Sequence, residues 1–205
     1  MRKYVEFMIL GYLMGSVLFA YYLPKWLKGI DVTRNTPDGN PGTFNCIAEA
    51  GKPLGLFALL CELLKGAVPV FLAARLLDPH CWAFALVVVS PVVGHAFSLF
   101  RHFRGGKAIA VSFGVTLGLF PVWEPFALLV CSYLFFSLIV KVQPHRFRSI
   151  LTFLCFGVGS LLWLGLKPPA LGCLMCAAVV ILRHWGAKPE EEKVTAQFVF
   201  SRRDR

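Results

Sequence analysis

Apolar residues run along this chain in long blocks. Stretches at 5–23, 53–77, 81–100, 108–120, 122–140, 150–166 and 168–182 alternate with connections in which Gly, Pro, Asn and basic residues collect. A hydrocarbon core of ~30 Å asks for ~20 helical residues, so most of these blocks are long enough to cross a bilayer as helices. The 108–120 block is short for a full crossing and is expected to be tilted at an edge or only partly inserted. Gly114, Gly118, Gly157, Gly159 and Gly172, with Ser and Ala between them, provide small faces on which membrane helices pack closely. The pattern predicts an all-α integral membrane protein, a compact bundle of about seven transmembrane helices with polar loops. Residues 1–186 form this domain, and 187–205 form a charged tail. The first apolar block is expected to remain in the membrane, because further apolar blocks follow it rather than a soluble portion.

Composition agrees: 57% of residues are hydrophobic and only 16% charged, which excludes an ordinary soluble domain. The charges are unevenly placed. Lys25, Lys28, Arg34 and Lys52 fall in the first connection, Arg101, Arg104 and Lys107 in the third, and Lys141, Arg146 and Arg148 in the fifth. Arg183, Lys188, Lys193, Arg202, Arg203 and Arg205 follow the last block. Only Arg2, Lys3, Arg75 and Lys167 belong to the other side. The positive-inside rule then puts the odd-numbered loops and the C-terminus in the cytoplasm and the N-terminus outside. The net charge of +10 reads as a topology signal and a surface for anionic membrane lipid rather than for nucleic acid.

Two ionisable residues interrupt the second block. Glu62 and Lys65 are three apart and share a helical face, and each is costly in lipid unless it is paired or faces a polar interior. The seven cysteines lie mainly inside apolar blocks. Cys173 and Cys176 have redox or metal spacing but no second ligand pair near them in sequence, so they read as packing residues and no metal is expected.

Chemistry concentrates in two connections. The first, 29–45, crowds Gly, Pro, Asn and Asp into a chain of turns and offers Asn40, Thr43 and Asn45 as donors and acceptors, with Arg34 as a fork for phosphate. The second contains Gly105-Gly106-Lys107, preceded by Gly94-His95. Two glycines let backbone N–H groups close around an anion, and the lysine supplies charge. A histidine-bearing phosphate cradle at a membrane surface suggests chemistry on a phosphorylated substrate.

The ordered set Gly15-Ser16, Lys28-Gly29-Ile30-Asp31, Gly39-Asn40-x-Gly42-x-x-Asn45, Gly51-Lys52, Glu62-x-x-Lys65-Gly66, Gly94-His95-x-Phe97 and Phe103-x-Gly105-Gly106-Lys107 resembles the acyl-phosphate-dependent glycerol-3-phosphate acyltransferase (PlsY) family of bacterial inner membranes. The resemblance implies a seven-span fold. It also implies transfer of a fatty acyl group from acyl phosphate to the sn-1 hydroxyl of glycerol 3-phosphate, giving lysophosphatidic acid for phospholipid synthesis. His95, Ser16 and Asn45 would be catalytic, and Arg34, Asn40, Thr43, Lys65, Gly105, Gly106 and Lys107 would bind substrate. No cofactor or metal is needed, because the acyl phosphate is already activated; the soluble enzyme that makes acyl phosphate is an expected partner. The chain departs from the pattern at Asp38, in a turn the family builds from small neutral residues, and at Ala48, Glu62 and Ala108. Leu182-Arg183-His184-Trp185-Gly186 and the Glu190–Lys193 run occupy the place of the C-terminal motif. Two other readings stay open: a divergent member with another acceptor or with binding but no turnover, and a small membrane transporter.

Overall fold

The structure, a computed structural model, describes residues 1–34, 36, 38–186 and 195–198. Nine α-helices carry the architecture of these residues: α1 (Arg2–Ser16), α2 (Phe19–Lys28), α3 (Thr43–Ala50), α4 (Lys52–Leu76), α5 (Ala83–Ala96), α6 (Ile109–Gly118), α7 (Glu124–Leu134), α8 (His145–Leu164) and α9 (Pro168–Trp185). Helix α5 is the central post. Twelve of its fourteen residues are buried, which suits a helix that is apolar on every side, and it packs between α1 and α9. Val87, Val88 and Val92 of α5 join Val70 of α4, Val111 and Val115 of α6, Phe153 and Phe156 of α8 and Val180 of α9 in one core.

Small residues set the helix spacing, as the sequence predicts. A Cβ on Gly114 would overlap the Leu63 carbonyl of α4, and one on Gly94 would overlap the Tyr12 carbonyl of α1. Gly157 and Gly172 are also too close to Ala177 and Val88 to accept a Cβ without a shift. Cys173 and Cys176 are buried in this packing.

Among the described residues, four spans are long and apolar enough to cross a membrane: Lys52–Leu76, Ala83–Arg101, His145–Leu164 and Pro168–Trp185. Helices α1 and α2 make a fifth if taken as one span bent by 44°. The remaining apolar blocks are helical but shorter. Helix α6 has 10 residues, about 15 Å at 1.5 Å per residue, because it starts only after the turn at Ala108 and ends before Pro121. The 122–140 block is helical over Glu124–Ile139, with its last turn, Phe135–Ile139, wound as a π-helix. The expectation of an all-α chain needs one correction. Strand β1 (Val140–Gln143) pairs antiparallel with β2 (Thr195–Phe198), so part of the 187–205 segment docks on the end of the bundle. The rest of that segment, including Glu190–Glu192 and the tail lysines and arginines, lies outside the described residues.

The break in the first span is the most constrained feature of the fold. A helix that ends inside a bundle leaves carbonyls without partners, and the next helix begins with unpaired N–H groups. Here side chains from α4 supply both. The Lys65 ammonium donates to the Val17 carbonyl at 2.6 Å, and the Ala20 N–H donates to Glu62 Oε1 at 3.2 Å. The two side chains pair with each other at 2.7 Å and are 2% and 1% exposed. The Ser98 hydroxyl donates to the Ser16 carbonyl at 2.6 Å, satisfying a further group at the break.

Removing one partner of a buried ion pair strands the other, which typically costs about 3–5 kcal/mol. Lys65→Met is therefore expected to lower unfolding stability in detergent micelles by that amount, read as a large drop in the thermal midpoint. A midpoint unchanged from wild type would show that the bend does not need the pair.

Candidate active site

The polar connections meet at one end of the bundle. Asp38, in the turn before α3, accepts from the Lys107 ammonium at 2.9 Å, from the Asn45 amide at 3.0 Å and from the Asn40 backbone N–H at 3.2 Å. Asn45 lies in the first turn of α3, so its side chain reaches back into the loop, where it also donates to the Asn40 carbonyl at 2.8 Å. This brings Asn40, Asn45 and Lys107 together. The opposite end holds the start of α1, where the Tyr4 hydroxyl donates to the Asp78 carbonyl at 2.9 Å.

The turn that presents Lys107 is bent hard and held from two sides. His102, Phe103 and Ala108 all have positive φ, at 51°, 61° and 61°, a region in which residues with a Cβ are strained. His95 forms the floor. Its carbonyl accepts the Gly106 N–H at 3.0 Å, and its Nε2 lies so close to Gly106 that a Cβ there would overlap it. Arg183, at the end of α9, clamps the other side: its guanidinium donates to the Gly105 carbonyl at 2.9 Å and to the Gly106 carbonyl at 3.2 Å. Arg183 also lies over the Phe97 ring, 5.6 Å from its centre.

His95 is tied in turn to the ion pair. Its Nδ1 is 3.0 Å from Lys65 Nζ and 3.1 Å from Glu62 Oε2. With the ring proton on Nε2, Nδ1 accepts from the Lys65 ammonium; with it on Nδ1, the ring donates to Glu62 Oε2. Lys65 is thus committed inside the bundle rather than at the loop surface. Ser16 is committed too: it is fully buried, its hydroxyl donates to the Tyr12 carbonyl at 2.8 Å, and the same oxygen accepts from the Leu99 N–H at 3.3 Å. Arg34 pairs with Asp31 at 3.6 Å and is 81% exposed. Thr43 opens α3 beside the cluster.

Two residues enter that the sequence reading did not assign a role. Arg183 is one; His184 is the other. His184 is fully buried, bonds the Val180 carbonyl through Nδ1 at 2.8 Å, and leaves Nε2 without a partner among the described residues. Its ring stacks on His145 with centres 6.3 Å apart, within electrostatic reach of Lys107 and Asp38. The only sequence signal was the placement of both residues in the stretch that stands where a C-terminal motif belongs.

The family model described as glycerol-3-phosphate acyltransferase matches residues 5–188, almost the whole helical bundle. The chain belongs to this family. A glycerol-3-phosphate acyltransferase of Thermotoga petrophila is 36% identical over 182 residues, covering 87% of each protein. One from Myxococcus xanthus is 42% identical over 113 residues, 55% of this chain. Among solved structures, PlsY, an integral membrane glycerol 3-phosphate acyltransferase, superposes in its glycerol 3-phosphate form with a TM-score of 0.76 at 26% identity, covering 89% of this chain and 88% of that one. Its lysophosphatidic acid form gives a TM-score of 0.75. This chain is accordingly a membrane acyltransferase of phospholipid synthesis with glycerol-3-phosphate acyltransferase function.

Burial raises the titration point of the Asp38 carboxyl, but its bonds to Lys107 and Asn45 outweigh this and hold it below the ordinary value of 3.8. Stabilisation from a depressed carboxyl is present above the ordinary value and is lost as pH falls through the depressed one. The thermal midpoints of wild type and Asp38→Asn should therefore differ by a constant amount from neutral pH down to the ordinary carboxylate range and converge only below it. Convergence already at pH 6 would contradict the described contacts. For Ala108, left-handed backbone costs a residue with a Cβ roughly 1–2 kcal/mol. Ala108→Gly is expected to raise unfolding stability by about 1 kcal/mol after the entropy of glycine is subtracted, and a lower thermal midpoint would count against strain at this position.

Proposed function

We propose that this chain transfers a fatty acyl group from acyl phosphate to the sn-1 hydroxyl of glycerol 3-phosphate, forming lysophosphatidic acid and inorganic phosphate. The observation that carries the reading is the convergence of Lys107, Asn45 and the Asn40 N–H on one anionic group, above a Gly-Gly turn and beside apolar helices. In the reaction the glycerol hydroxyl attacks the acyl carbonyl, a tetrahedral oxyanion forms, and the bond from carbonyl carbon to phosphate oxygen breaks. The departing phosphate carries off the hydroxyl proton. No covalent enzyme intermediate is required, and the protein's task is to position two anions and stabilise the oxyanion.

Within this reading Lys107 holds a substrate phosphate as a point charge, while Asn45 and Asn40 donate to phosphate or oxyanion. Gly105 and Gly106 let the substrate approach the backbone, Thr43 lines the mouth of the cradle, and Arg34 provides a second cation at its rim. His95 orients the turn from below, and with its ring proton on Nε2 that nitrogen is a donor, so that the hydroxyl proton goes to phosphate rather than to imidazole. Lys65 acts through His95, and Ser16 through the backbone of the bend.

The same proposal places the site in the cytoplasmic leaflet of a bacterial inner membrane, in contact with lipid and supplied by the soluble enzyme that makes acyl phosphate. The N-terminus is outside, residues 187–205 are a cytoplasmic extension of the 1–186 domain, and α6 and α7 complete seven spans. The clustering of the odd-numbered loops around Lys107 supports this sidedness, because the charge pattern assigns those loops to the cytoplasm.

The test is incubation of detergent-purified protein with palmitoyl phosphate and glycerol 3-phosphate while phosphate release and lipid product are followed. Both should appear in equal amounts, and Lys107→Ala should reduce kcat/KM at least tenfold, equivalent to ~1.4 kcal/mol of transition-state stabilisation. Phosphate release without lipid product, or near-normal activity of a folded Lys107→Ala variant, would sink the reading.

A further inference from the structure

The group on which the phosphate-binding donors converge is the chain's own carboxylate. Asp38 Oδ1 accepts from Asn45 and from the Asn40 backbone N–H, and Oδ2 accepts from Lys107. A cation, a side-chain amide and a backbone N–H around two oxygens form the donor set that a phosphate monoester would take up. The contact is not an inaccessible core pair, since the Asp38 side chain is 39% exposed and that of Lys107 is 17% exposed. Asn45 also bonds the Asn40 carbonyl, a contact that does not involve Asp38. The cradle is thus already arranged for an oxyanion and already contains one.

We propose that Asp38 is an intramolecular occupant of the phosphate cradle, which a phosphorylated substrate must displace, and that it thereby sets the affinity of this chain for such substrates. The proposal deepens the acyl-transfer reading by naming the residue that competes with the acceptor. A phosphate and the Asp38 carboxylate cannot both bond Lys107 and Asn45 without close approach of like charges, so binding requires the carboxylate to swing out. Gly39, next in the chain, has a φ of +56° that residues with a Cβ rarely adopt, so the turn holding the carboxylate depends on glycine. The alternative is a surface ion pair that merely steadies the loop, and such a pair would leave phosphate affinity unaltered when its charge is removed.

Inorganic phosphate is the direct probe, because its binding needs neither an acyl donor nor turnover. Calorimetry on the full-length protein in detergent would compare wild type with Asp38→Ser and Asp38→Asn. Both variants are expected to bind phosphate at least tenfold more tightly than wild type, and adding Lys107→Ala to Asp38→Ser should remove the gain. The KM for glycerol 3-phosphate should fall in parallel. Equal or weaker phosphate binding by the near-isosteric Asp38→Asn variant overturns the proposal, even if Asp38→Ser fails to fold. Tighter phosphate binding with no acyl transfer by any of these proteins would leave the occupant in place and overturn the catalytic reading. Normal acyl transfer with unchanged phosphate affinity would do the reverse.

Discussion

The Glu62–Lys65 pair connects three parts of the molecule through one buried network. It joins the carbonyl and N–H left open by the break in the first span to α4, and through His95 it reaches α5 and the underside of the Gly105–Gly106 turn. An unpaired charge or peptide group in this setting is expensive, because no water is available to satisfy it. Each element of the network is therefore required by another. The bend in the first span creates the open backbone groups, the pair satisfies them, and the same pair fixes the orientation of the histidine beneath the anion site.

The loop end of the bundle obeys a related constraint. Three residues with a Cβ in left-handed backbone around the turn carrying Lys107 would not persist without contacts that over-determine it. Arg183 and His95 provide those contacts from opposite sides, one on the carbonyls of Gly105 and Gly106 and one on the Gly106 N–H. The lysine is held on a rigid mount whose stiffness comes from α5 and α9. In the proposed transfer from acyl phosphate, precise placement of this cation matters most, since little covalent chemistry is left for the protein to perform. Asp38 completes the arrangement by neutralising that cation within the fold.

The hydropathy blocks and charge distribution pointed to a helical membrane bundle, its small-residue contacts and both polar connections on one side of it, while the family resemblance, not composition, joined Asn40, Asn45 and Lys107 and marked Asp38 only as a departure. These features rest on local composition and on motifs of short span, so they can be read residue by residue. The shortness of α6 was legible in the 108–120 block, but where α6 and α7 end was not, because their ends depend on the strained turn at Ala108 and on the π-wound turn that leads into β1. Nor was the ribbon that brings Thr195–Phe198 back to Val140–Gln143, since strand pairing is decided by a partner far away in sequence.

The same distinction separates the site residues. Lys107 announced itself through two adjacent glycines. Ser16 and Lys65 carried equally suggestive chemistry, yet their polar atoms are consumed by Tyr12 and Leu99 in one case and by Val17, Glu62 and His95 in the other. Arg183 and His184 lie 77 and more residues beyond the turn that Arg183 holds, and only their place in the stretch that stands for the C-terminal motif marks them. Residue types and their spacing determined which chemical groups this chain owns and on which end of the bundle they lie. Only the packing of α1, α4, α5 and α9 decided which of those groups are spent on backbone left open by a bent helix and which face an anion, because a hydrogen bond is assigned by distance in space and not by order along the chain.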